Sequence, residues 1–269
     1  MCKYLWRVGV ITTGIVSFGF TFVPETLFQK IKLFGESSTE TNILINRLLV
    51  FLLVGILVLA FYSIYLACRQ KIFIKGRNYS IKISYEDILK TKDSKKVIPF
   101  DECFTTSVGE LPSQIKPSSI CGQYLKENEG LDVEKLIVDA SIKPARGKSK
   151  YNNQVCYASG TIVPNGDDLL LAFAKLDSSG LGCMKYEEYI DSLMLLWKEI
   201  DKHYGQKDVC IPIIGSGITR IGEVAFTQQE LLDTIINSYK LSRYKIKEPA
   251  KLHIVCKKAK GFSLNKIQL

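Results

Sequence analysis

The sequence predicts an α/β body, with a mixed but largely parallel sheet flanked by helices, preceded by a transmembrane helical hairpin. Three observations predict it. Residues 48–68 form a long apolar run without a charge, short β-branched runs recur after residue 80, and two amphipathic stripes separate the last three of those runs. The expected division is residues 1–69 as the hairpin and residues 70–269 as the α/β domain. A length of 269 residues suits one domain plus such an appendage.

The run 48–68 reads LLVFLLVGILVLAFYSIYLAC. At about 1.5 Å per residue it spans about 30 Å, the thickness of a bilayer's hydrocarbon core. Tyr62 and Tyr65 lie toward one end, as an interfacial belt requires. Residues 8–23 give a second, shorter uncharged stretch between Arg7 and Glu25. A signal peptide is the rival there, because Lys3 and Arg7 precede the apolar stretch. Against it, Phe22-Val23-Pro24-Glu25 offers no small-x-small cleavage site. Lys3 and Arg7 flank the first span, Arg69, Lys71, Lys75 and Arg77 follow the second, and the loop between holds fewer, Lys30 and Lys32. The positive-inside rule therefore puts both termini in the cytoplasm and the loop outside, with Arg47 the one dissenting charge. With nothing else ionisable in the second span, a transporter or proton pump is not expected. An anchor or self-associating element is.

Strand-like runs appear at 80–84, 97–100, 136–142, 158–164, 169–176, 209–214 and 252–256. Tyr186, Tyr189, Ile190, Leu193, Trp197, Ile200 and Tyr204 make one helical stripe. Thr227-Gln228-Gln229-Glu230 is a capping-box pattern that opens a second, through Leu231, Leu232, Ile235, Ile236 and Tyr239. Both stripes read as core. Alternation of strand and helix in this half predicts parallel pairing through crossovers.

Composition excludes several chemistries. His203 and His253 are the only histidines, so a three-histidine zinc site cannot be built and both read as structural. The eight cysteines include no C-x-x-C pair, which fits a reduced cytoplasmic domain better than a zinc ribbon or disulfide framework, and no metal site is expected. The net charge is +9, yet no nucleic-acid motif accompanies it, so no nucleic-acid partner is expected. The basic groups Lys143, Arg146, Lys148 and Lys150, beside Tyr151, read first as a solvated loop, with ligand phosphates or anionic lipid as the alternatives.

The most informative segment is the apolar run Val209–Ile214 followed by Gly215-Ser216-Gly217-Ile218-Thr219-Arg220-Ile221-Gly222. In open α/β sheets ligands bind at the carboxyl ends of strands. Glycines there let backbone N–H groups converge on an anion, and a following helix adds its dipole. Ser216 and Thr219 offer hydroxyls and Arg220 a fork for phosphate. A tight turn without a ligand is the other reading. A Walker A loop needs G-K-[ST], which is absent. A dinucleotide fingerprint needs a third glycine, where Arg220 stands.

A strand, G-S-G-I-x-x-x-G and a helix, in the penultimate βα unit, resemble the second phosphate loop of macro domains. With Val97-Ile98-Pro99-Phe100-Asp101-Glu102-Cys103-Phe104-Thr105-Thr106, Ser118-Ser119-Ile120-Cys121-Gly122-Gln123 and Ser159-Gly160-Thr161, the chain is more similar still to the divergent macro-like domain of type II Thoeris anti-phage effectors. The resemblance spans about 80–258, behind two membrane helices as in that form. It implies that a companion TIR-domain enzyme makes an ADP-ribose-derived messenger, in particular histidine-ADP-ribose. The messenger fills the macro-like pocket, and the effector then assembles as a homo-oligomer in the inner membrane and disrupts its lipid bilayer, ending in abortive infection. It further implies Gly215, Ser216, Gly217, Ile218, Thr219 and Arg220 as diphosphate binders, Asp101 and Phe104 in the first ligand loop, with Asp101 toward adenine or ribose, and Ser119 and Gly122 beside them. The Asn-Ala-Ala-Asn first loop of ordinary macro domains is absent. No catalytic residue and no cofactor beyond that ligand are implied. The alternative is a membrane-anchored hydrolase of ADP-ribose derivatives or NAD, with Asp101 or Glu102 as general base.

Overall fold

A computed structural model describes residues 2–30, 39–111, 113–223 and 225–267. Within them the chain divides into two compact units that meet in sequence between Arg69 and Gln70.

The first unit holds α1 (Cys2–Phe22), the short α2 (Glu25–Lys30) and α3 (Thr39–Ala67). α1 and α3 are both long and apolar enough to cross a membrane. Val8, Thr12 and Val16, one face of α1 at four-residue spacing, are its buried positions. Thr12 meets α3 at Gly55, where an added Cβ would come within 3.6 Å of the threonine methyl. Arg47, the dissenting charge, is paired: a guanidinium nitrogen lies 2.7 Å from the Glu25 carboxylate, and the group sits over the rings of Phe20 and Phe28. Lys32, one of the two loop charges used for orientation, lies outside the described residues.

The second unit begins with the hairpin β1 (Lys71–Gly76) and β2 (Tyr79–Tyr85), then β3 (Ser94–Asp101), α4 (Ile120–Glu127), α5 (Val133–Asp139), β4 (Ile162–Asn165) and β5 (Asp168–Leu176). It continues through β6 (Gly182–Met184), α6 (Tyr186–His203), β7 (Asp208–Pro212), β8 (Arg220–Ile221), α7 (Gln228–Leu241) and β9 (Leu252–Cys256). The described strands form one sheet in the order β1-β2-β9-β7-β3-β5-β6-β8, with β4 beside β5. The central run β2-β9-β7-β3-β5 is parallel throughout, and the pairs β1–β2, β4–β5 and β5–β6 are antiparallel. The sheet is thus mixed and largely parallel, as its sequence predicts.

Period-two alternation in the central strands feeds two cores. Val97, Leu169, Leu171, Val209 and Ile211 face Tyr189, Leu193, Trp197, Leu232 and Ile235 of α6 and α7. Ile98, Phe100, Leu170 and Ala172 face Cys121, Tyr124, Val133 and Ile137 of α4 and α5. Helices therefore cover both faces of the sheet. α7 carries the capping box expected of Thr227 and Glu230.

Two expectations fail. The apolar run 136–142 is not a strand, because Asp132 caps the Lys135 N–H and starts α5 across it, leaving Val138 exposed and only Ile137 of Leu136–Val138 fully buried. The second is the helix expected close behind the glycine loop: β8 intervenes, and α7 starts only at Gln228.

Candidate functional site

The site follows from where the strands end. β7 lies four places from β8 in the order β7-β3-β5-β6-β8, so residues 213–219 must stride across the carboxyl ends of β3 and β5. Four strand spacings are about 19 Å, and eight extended steps reach only about 26 Å, so little slack remains for local hydrogen bonding. The one turn the loop makes is at its start. The Ser216 N–H donates to Ile213 O at 3.2 Å, with Gly215 at φ 87°, a left-handed conformation glycine supplies without strain. A Cβ at Gly215 would also stand 2.4 Å from Ile221 Cδ1, and the Tyr189 hydroxyl fixes the preceding carbonyl, Ile214 O, at 3.0 Å.

Beyond the turn the loop opens. Gly217 and Ile218 are exposed, and an added Cβ at Gly217 would meet nothing within 4 Å. Their backbone N–H groups find no acceptor among the described residues. Thr219 returns the chain to the sheet, its hydroxyl 3.3 Å from where a Cβ on Gly182 would be, and Arg220 extends exposed from β8. Ser216 differs from the expectation: its hydroxyl donates to Ile213 O at 2.6 Å, so its proton serves the turn. α7, the helix expected to add its dipole, starts only at Gln228, and its cap Thr227 accepts from Glu230 N. What the loop presents to an anion is its own amides, the Thr219 hydroxyl and the Arg220 guanidinium.

The first loop is built from the residues expected to touch ligand. Asp101 is buried, and its Oδ1 accepts from the N–H groups of Cys103 at 2.8 Å and Thr105 at 3.1 Å, so the carboxylate shapes its own loop. Burial raises its pKa, opposed by those hydrogen bonds and aided by the Glu102 charge. Phe104, at φ 53°, turns into the core, where its ring packs on Phe100 and Tyr157. Ser119 caps α4, donating to Lys116 O at 2.7 Å and accepting from Gly122 N at 3.0 Å. Gly122 permits a close approach, because a Cβ there would fall 2.2 Å from Lys116 O. Two cavities of about 410 Å³ flank this loop; Phe104 lines one and Gly122 the other, and neither is lined by residues 215–220. The structure thus engages these four residues within their own segment. It gives them the work of holding the loop and helix beside it.

Glu102, the other candidate base, is also buried and engaged. Its Oε1 accepts from the Ser149 hydroxyl at 2.6 Å and from Leu176 N at 3.1 Å. The thiol of Cys103 is pushed up to about 11 by burial and by the adjacent Asp101 and Glu102 charges, so it is not a thiolate at neutral pH. Among the described residues no cluster of histidine, cysteine and carboxylate side chains has the arrangement to hold a metal ion. The turn Asp177–Leu181, closed by Asp177 accepting from Ser179 N and Leu181 N, leads to Gly182 beside Thr219, and its Asp-Ser-Ser-Gly run signals a turn without signalling a ligand.

The family described as Thoeris protein ThsA, macro domain, matches residues 81–257. Thoeris protein ThsA of Bacillus amyloliquefaciens (strain Y2) is 28% identical over 265 residues, covering 93% of this chain and 82% of that protein. Among solved structures, an Oceanobacillus iheyensis macrodomain with ADP aligns at 9% identity and a TM-score of 0.44, over 70% of this chain and 88% of its own. A mutant tomato leucine aminopeptidase aligns at 9% identity and a TM-score of 0.37, over 71% of this chain and 35% of its own.

Proposed function

The chain belongs to the Thoeris ThsA macro-domain family, and from that premise we propose that it is a membrane-anchored anti-phage effector switched on by a small nucleotide. Its α/β unit binds an ADP-ribose-derived messenger, histidine-ADP-ribose in particular, made by a companion TIR-domain enzyme. Its helical unit spans the inner membrane with both termini cytoplasmic. On binding, the chains assemble and the membrane is disrupted. A ligand drives such a change only through unequal affinity for the two assembly states.

The observation that carries this reading is the pair of exposed, unpartnered amides at Gly217 and Ile218, on a loop stretched over the carboxyl ends of parallel strands. Exposed N–H groups on such a loop are left to water in the free protein, and a diphosphate can replace that water with charge-assisted hydrogen bonds. The engagement of Asp101 and Glu102 with their own backbone and with Ser149 supports binding without turnover.

The test is calorimetry of the full chain in lipid nanodiscs with ADP-ribose, comparing wild type with Gly217→Trp. The open space around Gly217 lets the variant fold, while the indole covers both amides. Two charge-assisted hydrogen bonds correspond to a loss of about 100-fold or more in affinity. The nucleotide should come back from the wild-type complex intact. Equal affinity of the two proteins removes the loop from the site, and recovery of a hydrolysed product returns the enzyme reading.

A further inference from the structure

Residues 145–156, basic in sequence, fold as an anchored arm over the same strand ends. Lys148 and Val155 pair in an antiparallel bridge, Ala145 N donates to Cys156 O at 2.8 Å, and Ser149 N donates to Gln154 O at 3.0 Å. Asn152 and Asn153, at φ 50° and 54°, turn the tip, a conformation asparagine tolerates. The arm is tied down at Ser149, which is buried on the Glu102 carboxylate. Its Tyr151 ring lies against the β5–β6 turn, 3.1 Å from where a Cβ on Gly180 would stand.

Beneath that tip, Lys175, Cys183 and Arg220 are register partners across β5, β6 and β8, so they share one sheet face. The other face, at Met184 and Ile221, is buried against α6 and α7. Arg220 is the last of the six loop residues carried forward as anion binders, so the arm and the end of the glycine loop meet the same part of the sheet. Lys150 is exposed and has no ion-pair partner among the described residues. It stands near enough to Cys183 that its charge lowers a thiol pKa which burial and the Asp177, Glu188 and Glu102 charges raise.

We propose that the arm is the second jaw of the anion site, with Lys150 as a phosphate-binding residue and Tyr151 as the ring that closes over the ligand beside Arg220. Its ligand class is a nucleoside diphosphate, gripped by loop amides on one side and by the Lys150 ammonium on the other. The inference rests on the proposed function and adds a contact to it.

The experiment titrates ADP-ribose into the full chain in nanodiscs for wild type, Lys150→Glu, Lys143→Glu and Gly217→Trp. Lys143→Glu makes the same change of charge before the arm begins and controls for the diffuse field. Lys150→Glu is expected to weaken binding about 30-fold, the scale of one lost charge-assisted contact, with Lys143→Glu within about twofold of wild type. If Lys150→Glu binds like wild type while Gly217→Trp does not bind, the arm has no part in the site and the loop reading stands. If the two charge reversals weaken binding equally, the contact is refuted in favour of a general field. A wild-type chain indifferent to ADP-ribose overturns both proposals.

Discussion

His253 occupies β9 with both ring nitrogens engaged and little water in reach. Its Nε2 lies 2.6 Å from Ser84 Oγ and its Nδ1 3.3 Å from Cys210 Sγ, and the residue is 5% exposed. Burial, helped by the Lys82 charge and opposed by Glu86, holds the imidazole down to about 4. Unfolding returns it to an ordinary value near 6.5, so below that pH the unfolded chain takes up a proton that the folded chain refuses. Above about pH 6.5 the group is neutral in both states and changes nothing. Stability should fall as pH drops from about 6.5 to about 4, by an amount on the order of 3 kcal/mol, and level off below. Denaturant unfolding of wild type and His253→Gln across this window tests the effect of the histidine together with Glu86, whose titration it influences. A parallel pH dependence in the two proteins rules out the histidine as its source.

At the scale of the element, the start of α4 shows how one residue type supports two readings. Ser119 stands in a segment whose resemblance marks it as ligand-facing, yet its hydroxyl proton goes to Lys116 O and its oxygen to Gly122 N. Ser119→Ala should therefore cost about 1 kcal/mol, or a drop of about 2–4 °C in melting temperature, with ADP-ribose affinity unchanged. A loss of affinity in calorimetry beyond about twofold would restore Ser119 to the site. The same distinction marks what the sequence made legible. α6 and α7 were readable because long stripes with caps admit one period, and the central strands because burial on both faces leaves uninterrupted apolar runs. Leu136–Ile142 was not, since a short apolar run has no period of its own and the cap at Asp132 decided it. The glycine loop was visible as chemistry, but the two residues of β8 that set its span were too few to leave a pattern. The arm was hidden for another reason. Its basic residues look like any solvated loop until the buried Ser149–Glu102 contact, 47 positions apart in sequence, shows where it is fastened.

Across the whole molecule, the helical unit cannot be reconciled with water on its outer face. Phe18, Leu53, Ile56 and Phe61 are each at least 60% exposed, and they belong to helices whose mean hydropathy reaches 1.4 over Tyr4–Phe22 and 2.7 over Thr39–Ala67. An apolar surface of that extent needs lipid or protein cover. Several of its polar groups meanwhile find partners within the unit, while Thr12 Oγ1 and Arg47 Nε are buried without a hydrogen-bond partner among the described residues. The Tyr4 and Ser63 hydroxyls are 2.6 Å apart, Asn46 Nδ2 donates to Phe28 O at 2.7 Å, and Arg47 pairs with Glu25. Internal satisfaction of this kind is what a bilayer demands of polar atoms. The full chain should therefore stay with the membrane pellet through an alkaline carbonate wash and leave it only in detergent. The proposed orientation has a sharper test at Cys68, which is exposed just past α3 and which that orientation places in the cytoplasm. A membrane-permeant maleimide should label the chain in intact cells and an impermeant one should not. The half-buried Cys103 and buried Cys256 add little to that signal: desolvation pushes them up to about 11 and about 12, and thiols held protonated react slowly. Labelling by the impermeant reagent would turn the charge-bias argument around and put the nucleotide site on the wrong face for a messenger made inside the cell.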